Sequence, residues 1–140
     1  MALNPVTTYL KYANLQMAAE SNFGTRNSDW APGGKTSAET ITESWLTDGN
    51  RRASKFPSAL AAQFIENWSV VEHIANTATG FSGTLFKAQK PNAALGITEG
   101  ELVLSFRSTE FADDYVRDNR ATNQLELSKF GFAFGQIADM

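Results

Sequence analysis

One histidine, His73, and no cysteine decide most of the catalytic chemistry this chain can hold. A Ser-His-Asp arrangement contained in these residues must use His73, because no other imidazole is present. It lies among Val70, Val71, Glu72 and Ile74, a segment that reads as strand interior. A general base is positioned at a strand end by loops, so His73 is expected to be a structural or surface residue. Ser82 sits in Gly80-Phe81-Ser82-Gly83-Thr84, close to the nucleophile elbow Gly-x-Ser-x-Gly. The second glycine comes one residue early, and the context is a hairpin strand where the elbow needs a sharp strand-to-helix turn. Ser82 is therefore not expected to be a nucleophile. The lack of cysteine excludes disulfides, thiol catalysis and thiolate metal sites. Asp113 and Asp114, with Asp118 one turn on, have the oxygen ligands Ca²⁺ takes. Arg117 and Arg120 lie beside them, and a solvated helix face with local ion pairs is the expectation. No metal and no cofactor are expected.

The remaining constellation is Gly100 to Asn119. Leu102, Val103, Leu104 and Phe106 form a nearly continuous apolar run between Gly100 and Arg107, the pattern of a strand buried on both faces. The polar turn Arg107-Ser108-Thr109 follows. Phe111, Tyr115 and Val116 then predict a short amphipathic helix from about Glu110. At the carboxyl ends of parallel strands in open α/β sheets, such turns hold ligands and oxyanions, because helix-start N–H groups point there.

Leu102-Val-Leu-Ser-Phe-Arg-Ser-Thr109, with the hairpin Gly80 to Phe86 before it and Phe-Ala-Asp-Asp-Tyr-Val-Arg-Asp after it, resembles the class 3 lipase region that carries the motif Phe-Arg-Gly-Thr or Phe-Arg-Gly-Ser. The resemblance covers about Ser69 to Met140, and the N-terminal helices loosely match the family's leading segment. It implies an α/β-hydrolase fold, with Thr109 forming part of the oxyanion hole and Arg107 bracing the loop. Ser108 stands where the family has glycine, which changes the backbone freedom of the turn. A backbone N–H and a hydroxyl at Thr109 are donors of the kind that stabilise a tetrahedral oxyanion. The family's nucleophile elbow and its Asp and His come later in the chain than this motif.

These residues need elements to position them. Asn4-Pro5 predicts a helix start, Asn4 as N-cap and Pro5 at the first helical position, with the helix running to about Glu20. Ser21 to Ser37, rich in Gly, Asn, Ser and Pro, is expected to be a long surface loop, with Trp30 packed down as an anchor. A second helix is predicted from Ala38, capped by Ser37, with Ile41, Trp45 and Leu46 facing inward; a third opens at Pro57 with Leu60, Phe64, Ile65 and Trp68. The period then changes. Val70 to Ile74 and Phe81 to Lys87 predict a hairpin, and a loop precedes the strand at Leu102. The tail from Phe130 fits helix or strand, helix being favoured. Residues 1–68 are thus mainly helical with a loop at 21–37, and 69–140 hold hairpin, central strand and helices. The whole is a single domain or the N-terminal fragment of an α/β-hydrolase domain.

A length of 140 residues suits one domain with a sizeable core. Net charge −3, with only 12 Lys and Arg and no cluster beyond Arg51-Arg52, gives no footprint for nucleic acid. No basic leader followed by an apolar run opens the chain, and no apolar stretch is long enough to span a membrane. Relatives in the resembled family are often secreted, some through C-terminal signals, so the compartment stays open.

The expectation is an N-terminal portion of a class 3 lipase-like serine ester hydrolase. It supplies the oxyanion hole for carboxylic ester (lipid) hydrolysis, lacks the nucleophile and is inactive alone. Expected partners are an ester or lipid substrate and either a second copy or a complementary hydrolase segment. Two alternatives compete with it: a self-contained, non-enzymatic α+β binding or interaction domain, and a structural subunit derived from the hydrolase fold.

Overall fold

Helix α1, Pro5–Ala19, starts where the sequence places it: the Asn4 side chain accepts a hydrogen bond from the Val6 N–H at 3.0 Å, and Pro5 occupies the first helical position. The computed structural model describes residues 4–21, 41–50, 55–74, 77, 81–107 and 138, and residues 35–36 by backbone alone. Trp30, Thr109, the acidic run at Asp113 to Asp118 and the aromatic tail lie outside the described residues.

The order of elements is α1, β1 (Lys35–Thr36), α2 (Glu43–Asp48), α3 (Ser58–Asn67), β2 (Trp68–Ile74), β3 (Gly83–Ala88), a 3₁₀ turn Ala93–Leu95 and β4 (Leu102–Phe106). The strands form one sheet in the order β1-β2-β3-β4, and every described pairing is antiparallel. The fold is mixed α/β. Three expectations change. The stretch 21–37 contains a strand, Lys35–Thr36, which pairs with His73 and Ile74. The second helix is described only from Glu43, after an extended Thr42, so Ile41 is buried ahead of the helix and not on its face. Trp68 packs into the core from the first position of β2 and not from the end of α3.

The largest correction concerns β4. It runs antiparallel to β3, and its side chains Leu102, Leu104 and Phe106 are exposed; only Ser105 is buried, with Val103 half-buried. The reason lies in the connection. Residues 89–101 fold on themselves through the bridge Asn92 to Ile97, and Ala88 and Glu101 bond directly, N–H to carbonyl at 2.9 Å. A parallel return needs a crossover, commonly a helix, and this excursion holds only a 3₁₀ turn. An apolar run by itself does not separate the two cases.

The core lies between the inner face of the sheet and the three helices. Leu15, Ala18 and Ala19 of α1, Leu46 of α2, and Ala61 and Phe64 of α3 meet Trp68, Val70, Phe86 and Ala88 of the sheet. Phe64 stands edge-on to Phe86 with ring centroids 5.7 Å apart, a favoured aromatic geometry, and tilts against Phe56 at 5.4 Å. At the passage from α3 to β2 the orphan carbonyls of the helix end are satisfied by Gln89, whose side-chain amide donates to the Ile65 and Trp68 carbonyls.

Candidate functional site

β2 pairs Val70 with Phe86 and Glu72 with Leu85, leaving Val71 as one extra residue. Such a bulge reverses the alternation of everything beyond it. Val70 faces the core, Val71 is exposed, and His73 is turned inward, where a regular strand would place it opposite Val70. His73, Thr84 and Ser105 therefore sit side by side on adjacent strands, all buried on the inner face.

This polar row is tied to α1. His73 Nδ1 and Thr84 Oγ1 are 2.8 Å apart. Ser105 Oγ donates to Gln16 Oε1 at 2.9 Å, while Gln16 Nε2 donates to the Phe106 carbonyl at 2.6 Å and to Glu20 Oε1 at 3.3 Å. The other Glu20 oxygen faces Arg107 Nε at 3.9 Å, an ionic contact too long for a hydrogen bond. Both side chains are almost fully enclosed, 3% exposed for Arg107 and 9% for Glu20. The Arg107 backbone N–H donates to the Ser82 carbonyl at 3.0 Å, so the ladder between β3 and β4 continues one step past Phe106. Arg107 is thus held through its backbone to β3, while its guanidinium lies enclosed in ionic contact with Glu20, the residue that caps the end of α1.

The electrostatics follow from this enclosure. Burial, and then the positive charge of Arg107, lower the His73 pKa from 6.5 to about 4. At neutral pH the imidazole is uncharged and acts as a hydrogen-bonding part of the interior. Ser82 is buried as well, its hydroxyl donating to the Ile74 carbonyl at 2.9 Å. Neither residue has the exposed strand-end placement of a nucleophile or general base, in agreement with the sequence reading of both.

Of the two residues singled out for the oxyanion element, Arg107 lies in this cluster, and Thr109 is outside the described residues. Sequence reasoning missed Gln16, Glu20, Thr84 and Ser105. The one available signal was that Gln16 and Glu20 share a line on α1. Their partners at Ser105, Phe106 and Arg107 are too distant in sequence for any local pattern to join them.

Among the described residues, hollows lie elsewhere. A cavity of about 30 Å³ between α1 and α3, bordered by Lys11, Asn14, Gln63 and Asn67, has room for a water molecule. An open groove of about 390 Å³ lies by Ser69, Lys87, Gln89 and Glu99, at the opposite end of β3 from Arg107. Among the described residues no group of three or more His, Asp or Glu side chains converges on a point as a metal site requires, and no helix is long and apolar enough to cross a membrane. No protein-family model, curated protein or solved structure matches the chain.

Proposed function

We propose that this chain is the N-terminal portion of a class 3 lipase-like serine ester hydrolase. It contributes an oxyanion-hole element at Thr109, braced by Arg107, within an α/β-hydrolase sheet, and a following segment or second chain supplies Ser, Asp and His. The observation that supports this reading is the anchoring of Arg107. An arginine in an ordinary polar turn extends into water, whereas this one is enclosed beside Glu20, with its backbone held by Ser82. The peptide that leaves β4 toward Ser108 and Thr109 therefore starts from a fixed point. Preorganised donors are what the stabilisation of a tetrahedral oxyanion requires.

Treatment with a fluorophosphonate probe tests the proposal. The 140-residue chain should remain unlabelled, since Ser82 and His73 are both committed to internal bonds. The extended gene product should label at a serine beyond residue 140, and Thr109→Ala there, which removes the hydroxyl and keeps the backbone N–H, should lower the labelling rate by about 100-fold, the order of the cost of losing one oxyanion donor. Labelling of the 140-residue chain itself would sink the assignment.

A second reading has a specific observation in its favour. The described sheet is antiparallel throughout, and its inner face is covered by α1, α2 and α3 in one continuous core. A self-contained α+β binding domain needs no more than that. For such a domain, extension of the chain would bring no probe-reactive serine.

A further inference from the structure

We propose that β4 is a dimerisation edge, through which two copies of this chain join their sheets antiparallel about a two-fold axis at Val103. The inference concerns the 140-residue chain by itself and does not rest on the hydrolase reading, under which a following segment would compete for this edge.

The hydrogen-bond phase of β4 carries the argument. Glu101 and Arg107 bond toward β3, so Val103 and Ser105 do too, and the N–H and C=O groups of Leu102 and Leu104 point away from the sheet. Among the described residues nothing bonds these four groups. The next carbonyl on that side, at Phe106, is already taken by Gln16. The open part of the edge is therefore Leu102 to Leu104, and this sets the register. Leu102 meets Leu104 of a second copy, and Leu104 meets its Leu102. Each donor finds an acceptor, and Val103 faces its own counterpart across the axis.

The side chains fit the same operation. Exposed edges are ordinarily blunted by Lys, Pro or inward charge, and Leu102 to Phe106 contains none of these. Leu102 and Leu104, 59% and 48% exposed, come to lie beside each other across the junction. Tyr9 and Tyr12, 74% and 47% exposed, share one side of α1 with Gln16, the residue that reaches this edge. The two-fold brings both α1 helices to the same face of the joined sheet. The leucines of both copies meet on the outer face of the joined sheet, opposite the helices, and the tyrosines of both α1 helices flank the junction on the inner face.

Because the chain has no cysteine, a single introduced thiol reports the register. Directly opposed residues that do not exchange hydrogen bonds have Cα atoms about 4.5 Å apart, within disulfide reach, whereas two Leu104 positions would be roughly 8 Å apart and beyond it. Val103→Cys should give a covalent dimer on mild oxidation and Leu104→Cys should not. By sedimentation the unmodified chain should have roughly twice its 15.3 kDa mass at tens of micromolar. Leu104→Pro removes an outward N–H and no bond to β3; it should give a monomer with an unchanged circular dichroism spectrum. A monomeric unmodified chain would overturn the proposal, and protection of the Leu104 amide from exchange in that monomer would assign the edge to a strand of the same chain. Equal cross-linking at both thiol positions, or a Leu104→Pro variant that still dimerises, would overturn it as well.

Discussion

His73 shows how one residue type can carry opposite roles depending on what surrounds it. Exposed near a strand end it would titrate near neutrality. Buried against Thr84 and close to Arg107, it holds its neutral form down to about pH 4. The unfolded chain takes up that proton near pH 6.5, so between these values the unfolded state binds more protons than the folded one. Stability should accordingly fall as pH drops from about 6.5 toward 4 and level off below, by on the order of 3 kcal/mol. Urea midpoints compared between pH 7 and pH 5 avoid most carboxylate titration. His73→Gln should flatten the slope in that interval, and an unchanged slope would show that another group sets it. The sequence supplied the strand interior around His73 but not its inward direction. Arg107 was legible as the polar residue that ends the apolar run of β4, whereas its contact with Glu20 was not, since that contact exists only once α1 lies against β4.

At the scale of elements, helices with clear end signals were the most legible. Asn4-Pro5 and Pro57 mark starts that the structure keeps within a residue, because the cap chemistry is local. The hairpin of β2 and β3 was legible from its alternation, and the extra residue inside it was not, because Val70-Val71 fits a regular strand equally well. That bulge yields an element-level prediction. Deleting Val71 removes the unpaired residue and leaves Val70 opposite Phe86 and Glu72 opposite Leu85, so His73 still faces inward. Val71 is exposed, and no core contact is lost. The deletion should therefore cost little, on the order of 1 kcal/mol, the centre of the range for single changes. Deleting Leu85 from the facing strand should unfold the chain, since it shifts the register of β3 and moves its buried side chains to the wrong face. A denaturant titration of both variants checks this; a Val71 deletion as damaging as that of Leu85 would mean that the bulge supplies necessary twist.

At the scale of the whole described structure, contacts between its first helix and β4 close the fold. Successive turns of α1 reach along β4: Lys11 Nζ lies 2.7 Å from Glu101 Oε1 and 2.9 Å from the Gly96 carbonyl, Gln16 holds Ser105 and Phe106, and Glu20 faces Arg107. These ties lock the first helix to the last described strand, and they were the least legible part of the fold, since no residue near Lys11 in sequence indicates Glu101. Lys11 and Glu101 are 9% and 21% exposed at the side chain, so water screens them poorly. An enclosed ion pair brings little net stability over apolar packing, but removal of one member leaves an uncompensated charge that costs about 3 to 5 kcal/mol. Lys11→Met or Glu101→Leu alone should each approach that loss, somewhat reduced by the remaining access to solvent. The double substitution should recover most of it, because both charges leave the interior together and Met can pack where the lysine stem lay. Denaturant midpoints of the four chains form the thermodynamic cycle. Additive losses would show that the two residues act separately, and that α1 is held to the sheet by its apolar side, Leu15, Ala18 and Ala19, rather than by the polar ties.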